Sequence, residues 1–227
     1  GWTVAVHYRG AGDAAAAVVA EIAAAGGRAV ALAADLAREA ETAALIPAAA
    51  AAVGPLRLLV NNASVFESDE ALSATRESWD RHIETNLRAP FVLMQHFARQ
   101  LPAAAEGVIV NILDERVWNL TPHFVSYTLS KAGLWTLTQT LALALAPRIR
   151  VNAIGPGPTL PSPRQSEEQF RRQRAAMPLQ RGPTPEEIAG AVCFLLAAPS
   201  MTAQMLALDG GQHLGWAPSP AAPPAFE

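Results

Sequence analysis

Residues 3–8, Thr-Val-Ala-Val-His-Tyr, form a β-branched, apolar run that predicts a buried strand. Residues 13–25 follow with Ala14, Val18 and Ile22 at helical spacing, and Gly26-Gly27 stops that helix. The alternation continues in the same way. Strands are predicted at 29–33, 56–60, 108–113, 150–154 and 205–209. Helices are predicted at 39–53, 76–100, 126–146 and 185–198. Pro47 is expected to kink or shorten the helix it falls in. The long helix at 76–100 carries Trp79, Ile83, Leu87 and Met94 on its apolar face. Thr184-Pro185-Glu186-Glu187 is a capping box with proline at the first helical position.

Strands that are apolar almost throughout and alternate with helices imply a parallel sheet covered on both faces. The fold class is therefore α/β, a doubly wound Rossmann-type sheet in one domain over residues 1–216, with its ligand at the strands' carboxyl ends. Residues 158–183, rich in proline and arginine, are expected to form a mobile loop region beside the substrate, with one short helix at 167–174. Residues 217–227, with four prolines, are expected to be a disordered tail.

With 51% hydrophobic and 16% charged residues, the chain of 227 residues can bury a sizeable core. A net charge of −3 supplies no electrostatic reason to expect nucleic acid or an anionic membrane as partner. The single cysteine excludes an intrachain disulfide framework, and with no leader pattern at the start a cytoplasmic location is expected. Cys193 sits in an apolar run and is expected in the core. The five histidines show no ligand spacing, so no metal site is expected.

Candidate chemistry centres on Tyr127 and Lys131, four residues apart and hence on one helix face. A lysine ammonium beside a phenol favours the phenolate and draws its pKa down, which suits a proton donor near neutral pH. Asn61-Asn62-Ala63-Ser64 ends one strand, Asn86 lies within a helix, Asp114 ends the next strand, and Gly155-Pro156-Gly157 and Leu208-Asp209-Gly210-Gly211 close two later ones. In this order and on these elements, the set resembles the short-chain dehydrogenase/reductase family, from about Thr3 to Trp216.

That resemblance implies roles for particular positions. Tyr127 is the catalytic acid, Lys131 its activator and a ribose ligand, and Asn86 holds a proton-relay water. Asn62 and Ala63 line the adenine-ribose side of the cofactor, Asp35 and Leu36 contact the adenine, and Pro156, Gly157 and Thr159 border the nicotinamide. Taken alone, Asn86 is helix-surface polarity and Asp35 a strand-to-helix cap.

The family usually carries serine where Asp114 stands. A carboxyl group there can exchange a proton or pair with an amino-heterocycle. Asp114 together with Asn-Asn-Ala-Ser and Phe66 resembles the pteridine reductase branch, including the bacterial dihydromonapterin and dihydrofolate reductase relatives. The implied substrate contacts are Phe66, stacking on a flat pterin, Ser64 at its polar edge, and Trp118. Arg9 ends the first strand where an acid would select NAD, so the expected cofactor is NADP(H). Gly10-Ala11-Gly12 matches a dinucleotide fingerprint, but Asp13 would then face a pyrophosphate. It is read instead as the turn after the family's second strand. A strand, a Gly-rich loop and a helix, about 20–30 residues, are accordingly expected before Gly1, with that strand in the middle of the sheet.

The reaction implied is NADPH-dependent reduction of a pterin C=N bond. One alternative is a reductase of ordinary carbonyls, such as a 3-oxoacyl thioester or a sugar ketone. The other is a non-catalytic nucleotide-binding or structural protein. A small-molecule substrate is the expected partner. A homo-oligomer, dimer or tetramer, is expected through the two long helices, where Phe91, Leu93, Leu134, Trp135 and Leu141 exceed what one sheet-facing stripe requires.

Overall fold

All strand pairs in the computed structural model, which describes residues 1–162 and 164–215, are parallel. The expected tail at 217–227 lies outside the described residues. In chain order the elements are β1 (Thr3–Tyr8), α1 (Gly12–Ala24), β2 (Arg28–Ala33), α2 (Glu39–Val53), β3 (Leu58–Asn61), α3 (Arg76–Ile83) and α4 (Ala89–Gln100). They continue with β4 (Gly107–Ile112), α5 (Val125–Leu145), β5 (Ile149–Pro156), α6 (Glu167–Ala175), α7 (Pro185–Ala197) and β6 (Met205–Leu208). The predicted α/β class and element order hold. Among the described residues, no helix is long and apolar enough to cross a membrane.

The strands form two hydrogen-bonded groups, β1-β2 and β3-β4-β5-β6. Between β1 and β3 lies an apolar cleft of about 380 Å³, lined by Val4 and Leu32 on one side and Leu58 and Val60 on the other. The sheet is thus parted between β1 and β3. The buried apolar residues fall into separate clusters on the two faces of the sheet. Met94, Phe97, Ile109, Leu134 and Val151 pack between β4, β5 and the two long helices, and Val110, Ile154 and Leu195 join the sheet to α7. A side chain at Gly107 would meet the Phe97 ring at 3.0 Å, so glycine lets α4 lie close on β4.

Four local expectations are corrected. Pro47 neither shortens nor ends α2, which runs through it for 15 residues. Cys193 is exposed: α7 packs through Ile188, Ala191, Val192 and Leu195, and Cys193 lies off that stripe. The helix at 76–100 is interrupted at 84–88 by one π-helical turn that contains Asn86. Of the apolar residues expected to face a second subunit, Leu93 and Leu134 are instead buried within the chain. Leu129 and Leu143 on α5 are exposed.

Candidate active site

Tyr127, Asp114 and Lys131 meet at the carboxyl end of β4. Asp114 follows that strand and caps the short 3₁₀ turn Glu115–Val117, its Oδ1 accepting the Arg116 N–H at 2.9 Å. This is the local role any strand-end carboxylate could play. Its second oxygen does something else: Oδ2 accepts a 2.8 Å hydrogen bond from the Tyr127 hydroxyl. Arg116, buried beneath, places its Nε 3.8 Å from Asp114 Oδ1.

The ionisation of the pair runs against the expectation that Lys131 draws the Tyr127 phenol down. Burial, then the negative charge and hydrogen bond of Asp114, hold the phenol well above its ordinary pKa. Tyr127 therefore stays protonated at neutral pH, the form an acid must have. Lys131 is buried, its Nζ donates to the Ile112 carbonyl at 2.9 Å, and burial lowers its pKa from 10.5 to about 8 against the opposing charge of Asp114. The ammonium lies 5.8 Å from the Tyr127 ring centroid. Its three donors include one spent on Ile112, so the donor set fits a ribose diol.

The cavity in front of the Tyr127 hydroxyl measures about 290 Å³ and is lined by Phe66, Asp114, Arg116, Tyr127, Pro156 and Thr159, among others. Phe66 stacks on Phe124 with centroids 4.5 Å apart and meets the Tyr127 ring edge-on at 4.7 Å. The guanidinium of Arg116 lies 5.7 Å from the Phe66 centroid and 5.0 Å from that of Phe124. Gly157 also lines the cavity, and its N–H donates to the Leu208 carbonyl at 2.9 Å. A Cβ at Gly157 would come within 2.8 Å of the Asp209 Cα, so only glycine brings β5 this close to the end of β6. Thr159 Oγ1 donates to the Gly157 carbonyl at 3.0 Å and fixes this turn.

Other sequence-predicted residues fall elsewhere. Asn86 is buried, not on the helix surface. Its Oδ1 accepts the Val65 N–H at 2.8 Å, and its Nδ2 donates to the Val65 carbonyl at 2.9 Å and to Ser130 Oγ at 3.1 Å. The side chain thereby anchors the segment that carries Ser64 and Phe66. Ser64 is exposed and makes only a long contact with the Val65 carbonyl, 3.4 Å. Trp118 is 44% exposed and packs edge-on against Trp135 and His213, outside the residues that line the cavity.

Asn62, Ala63 and Leu36 line the apolar cleft between β1 and β3, and Arg9 is exposed at the end of β1. Asp35 accepts the Ala37 N–H at 3.1 Å, the local cap its spacing allows. Leu36 packs in the core with Ala34, Leu45 and Ile46. Two features had no sequence signal. Asn61, Asn111 and Thr138 form a buried hydrogen-bonded ladder, 2.8 and 2.9 Å, that joins β3, β4 and α5. Arg164 bridges from the 158–183 region to Glu67 at 2.7 Å and to the Phe66 carbonyl at 2.6 Å.

A parallel, doubly wound sheet with a buried Tyr–Lys pair at its carboxyl end defines an α/β class of nucleotide-linked oxidoreductases. Comparison with known proteins makes the class specific. The family model described as Enoyl-(Acyl carrier protein) reductase matches residues 1–213. The chain belongs to the short-chain dehydrogenase/reductase family. It is similar to the solved structure of FolM alternative dihydrofolate reductase 1 from Brucella suis in complex with NADP. That match has 48% identity and a TM-score of 0.93, and covers 97% of this chain and 88% of that one. It is also 32% identical over 219 residues to the 3-oxoacyl-[acyl-carrier-protein] reductase FabG of Staphylococcus epidermidis, covering 94% of this chain and 90% of that protein. To 3beta-hydroxysteroid dehydrogenase 1 of Eggerthella lenta it is 35% identical, covering 94% and 85%.

Proposed function

We propose that the protein uses NADPH to reduce a C=N bond of a pterin-type ring. The observation that carries this reading is the Asp114 carboxylate, hydrogen-bonded to the Tyr127 hydroxyl and opening with Phe66 onto one cavity. A carboxylate accepts from an amino-heterocycle edge, which a ketone does not present. A phenylalanine ring on the cavity wall suits a flat substrate. The similarity to the FolM structure from Brucella suis, described as an alternative dihydrofolate reductase in complex with NADP, supports both the substrate class and the cofactor.

The residues for the cofactor fall on two sides. Lys131, Pro156, Gly157 and Thr159 would hold its nicotinamide half, and Asn62, Ala63, Asp35 and Leu36 its adenosine half. Arg9 would face the 2′-phosphate. When bound, the nicotinamide supplies the hydride. The chain's own residues manage the proton. Tyr127 carries it on Oη, kept there by burial and by Asp114. Asp114 Oδ2, 2.8 Å away, takes the phenol's hydrogen bond and can pass a proton between Tyr127 and the ring nitrogen. Lys131 keeps a positive charge beneath both groups below about pH 8. Asn86 holds Val65, and through it Ser64 and Phe66, against this constellation.

The curated relatives at 32% and 35% identity, named as 3-oxoacyl and hydroxysteroid enzymes, favour a second reading, reduction of ordinary ketones. A steady-state panel with NADPH separates the two. The pterin reading expects kcat/KM on dihydrofolate and dihydrobiopterin to exceed that on acetoacetyl thioester by at least about 10-fold, a difference of roughly 1.4 kcal/mol. The reverse order would establish the ketone reading.

A further inference from the structure

Behind the active-site cavity lies a buried chain of polar groups that takes no part in the proposed proton transfer. Asp69, His82 and Ser126 are each at most 4% exposed. Ser126 Oγ donates to Asp69 Oδ2, and His82 Nδ1 lies 2.6 Å from Ser126 Oγ. On the far side of the ring, His82 Nε2 accepts the Glu67 N–H at 3.0 Å. An N–H donor at Nε2 fixes the tautomer. Nε2 is the bare nitrogen, so Nδ1 carries the proton and donates to Ser126.

The chain joins two segments that also meet through the Phe66, Phe124 and Tyr127 rings. Residues 65–70 carry Phe66, and the first turn of α5 carries Tyr127 next to Ser126. That turn has no cap of its own. Phe124 stands at the N-cap with φ +57°, a left-handed conformation that a phenylalanine rarely adopts, and it offers no side-chain acceptor. Asp69 supplies what is missing from outside the helix. Its carbonyl accepts the Phe124 N–H at 2.8 Å, and its Oδ1 accepts the Ser126 N–H at 3.1 Å. Ser78 Oγ adds a 3.0 Å bond to Asp69 Oδ2, which ties in α3.

We propose that Asp69, Ser126 and His82 act together as a positioning relay that sets Phe66 against Tyr127, so that affinity for a flat substrate depends on a neutral His82. An imidazolium has no acceptor at Nε2, and the Glu67 N–H would then oppose a second N–H. Every group packed on the ring bears on its charge. From residues 65–70 these are the Asp69 and Glu67 carboxylates. On α3 they are the Arg81 guanidinium and the Ser78 backbone, and on α5 the Ser126 hydroxyl and the edge of the Tyr127 ring at 5.9 Å. Burial outweighs the carboxylates and holds His82 below its ordinary value, so it is neutral at pH 7. The folded state thus takes up fewer protons than the unfolded chain. The relay is intact above the ordinary histidine range and is lost as pH falls through the lowered value.

The consequence for substrate affinity rests on the pterin reading; the relay itself does not. The test compares wild type with His82→Phe, which fills the space without a hydrogen bond, and His82→Gln, whose side-chain oxygen can replace Nε2. Residue-resolved amide exchange is read at Glu67, with Val65, held by Asn86, as the internal reference. His82→Phe should lower Glu67 protection by about 10-fold, equivalent to one lost hydrogen bond of about 1.4 kcal/mol, and leave Val65 unchanged. It should raise KM for dihydrofolate by at least about 5-fold with kcat within about 2-fold. His82→Gln should recover both, and should lack the rise in KM expected of wild type as pH falls below the ordinary histidine range. Unchanged Glu67 protection in His82→Phe, or equal loss at Val65 and Glu67, would overturn the relay. Absence of dihydrofolate turnover in wild type would defeat the pterin reading, while exchange at Glu67 would still decide the relay.

Discussion

Replacing Asp114 by serine separates the two jobs of this carboxylate. Serine is a good helix N-cap, so the bond now made by Oδ1 to the Arg116 N–H survives and the 3₁₀ turn should keep its stability to within about 0.5 kcal/mol. The bond made by Oδ2 to the Tyr127 hydroxyl does not survive in the same form, because serine brings no charge and a shorter reach. A hydrogen bond to a charged group contributes about 1.5–3 kcal/mol, which corresponds to roughly 10- to 150-fold in kcat/KM. The loss should fall on dihydropterins, whose amino edge uses the carboxylate. Turnover of a simple ketone should fall by less than about 3-fold or rise, since the carbonyl needs only a hydroxyl. A second consequence follows from the sign of the charge. Asp114 is among the groups that raise the Tyr127 phenol, so its removal should move that ionisation down, visible as a lower alkaline limb in the pH–rate profile. The assay is NADPH oxidation followed by absorbance on both substrate types, with melting curves as the control for folding. Equal losses on pterin and ketone, with an unchanged alkaline limb, would refute the division of labour and leave Asp114 as a cap alone.

Tyr127→Phe should lower kcat on pterin and ketone alike by at least about 100-fold, as expected for removal of a general acid, with circular dichroism unchanged. Lys131 has a folded pKa of about 8 against an unfolded value near 10.5, so its charge costs stability at every pH below 8, and the cost is relieved as pH rises between these values. Lys131→Met should therefore raise the melting midpoint of the cofactor-free protein at pH 7, by an amount that shrinks above pH 8. In wild type, NADPH affinity measured by fluorescence titration should weaken as pH rises through about 8. Light scattering should find at least two chains per particle, associated through the exposed apolar positions of α5, and Leu143→Asp should reduce that mass.

The parallel sheet, its element order and most helix limits were legible because long apolar runs and helical periodicity are local signals. The capping box at Thr184 illustrates this: its spacing alone predicted the reciprocal bonds seen with Glu187. Tyr127 and Lys131 were legible because they lie four apart on one predicted helix, and Asp114 because it ends the predicted strand before that helix. What was not legible depends on three-dimensional neighbours. The direction of the Tyr127 ionisation is set by burial and by Asp114, 13 positions away, and not by the lysine on its own helix face. Cys193 sits in an apolar stretch, but α7 presents a different stripe to the sheet. Asn86 acts through Val65, 21 residues earlier, and no periodicity reports such a contact. The Asp69–Ser126–His82 relay joins residues up to 57 apart and lacks any motif. Trp118, a substrate contact by resemblance, instead packs on Trp135 and His213, neighbours that lie 17 and 95 positions further along the chain.

Hydride transfer to a pterin carbon can be observed directly. NADPH carrying deuterium at both C4 positions, incubated with dihydrofolate and the enzyme, should give a reduced pterin one mass unit heavier than the product formed with ordinary NADPH (about one deuterium per molecule), with the label on a ring carbon by NMR. Asp114→Ser should slow formation of the labelled product. A product without deuterium, or no reduced pterin while a ketone in the same mixture becomes labelled, would contradict the account.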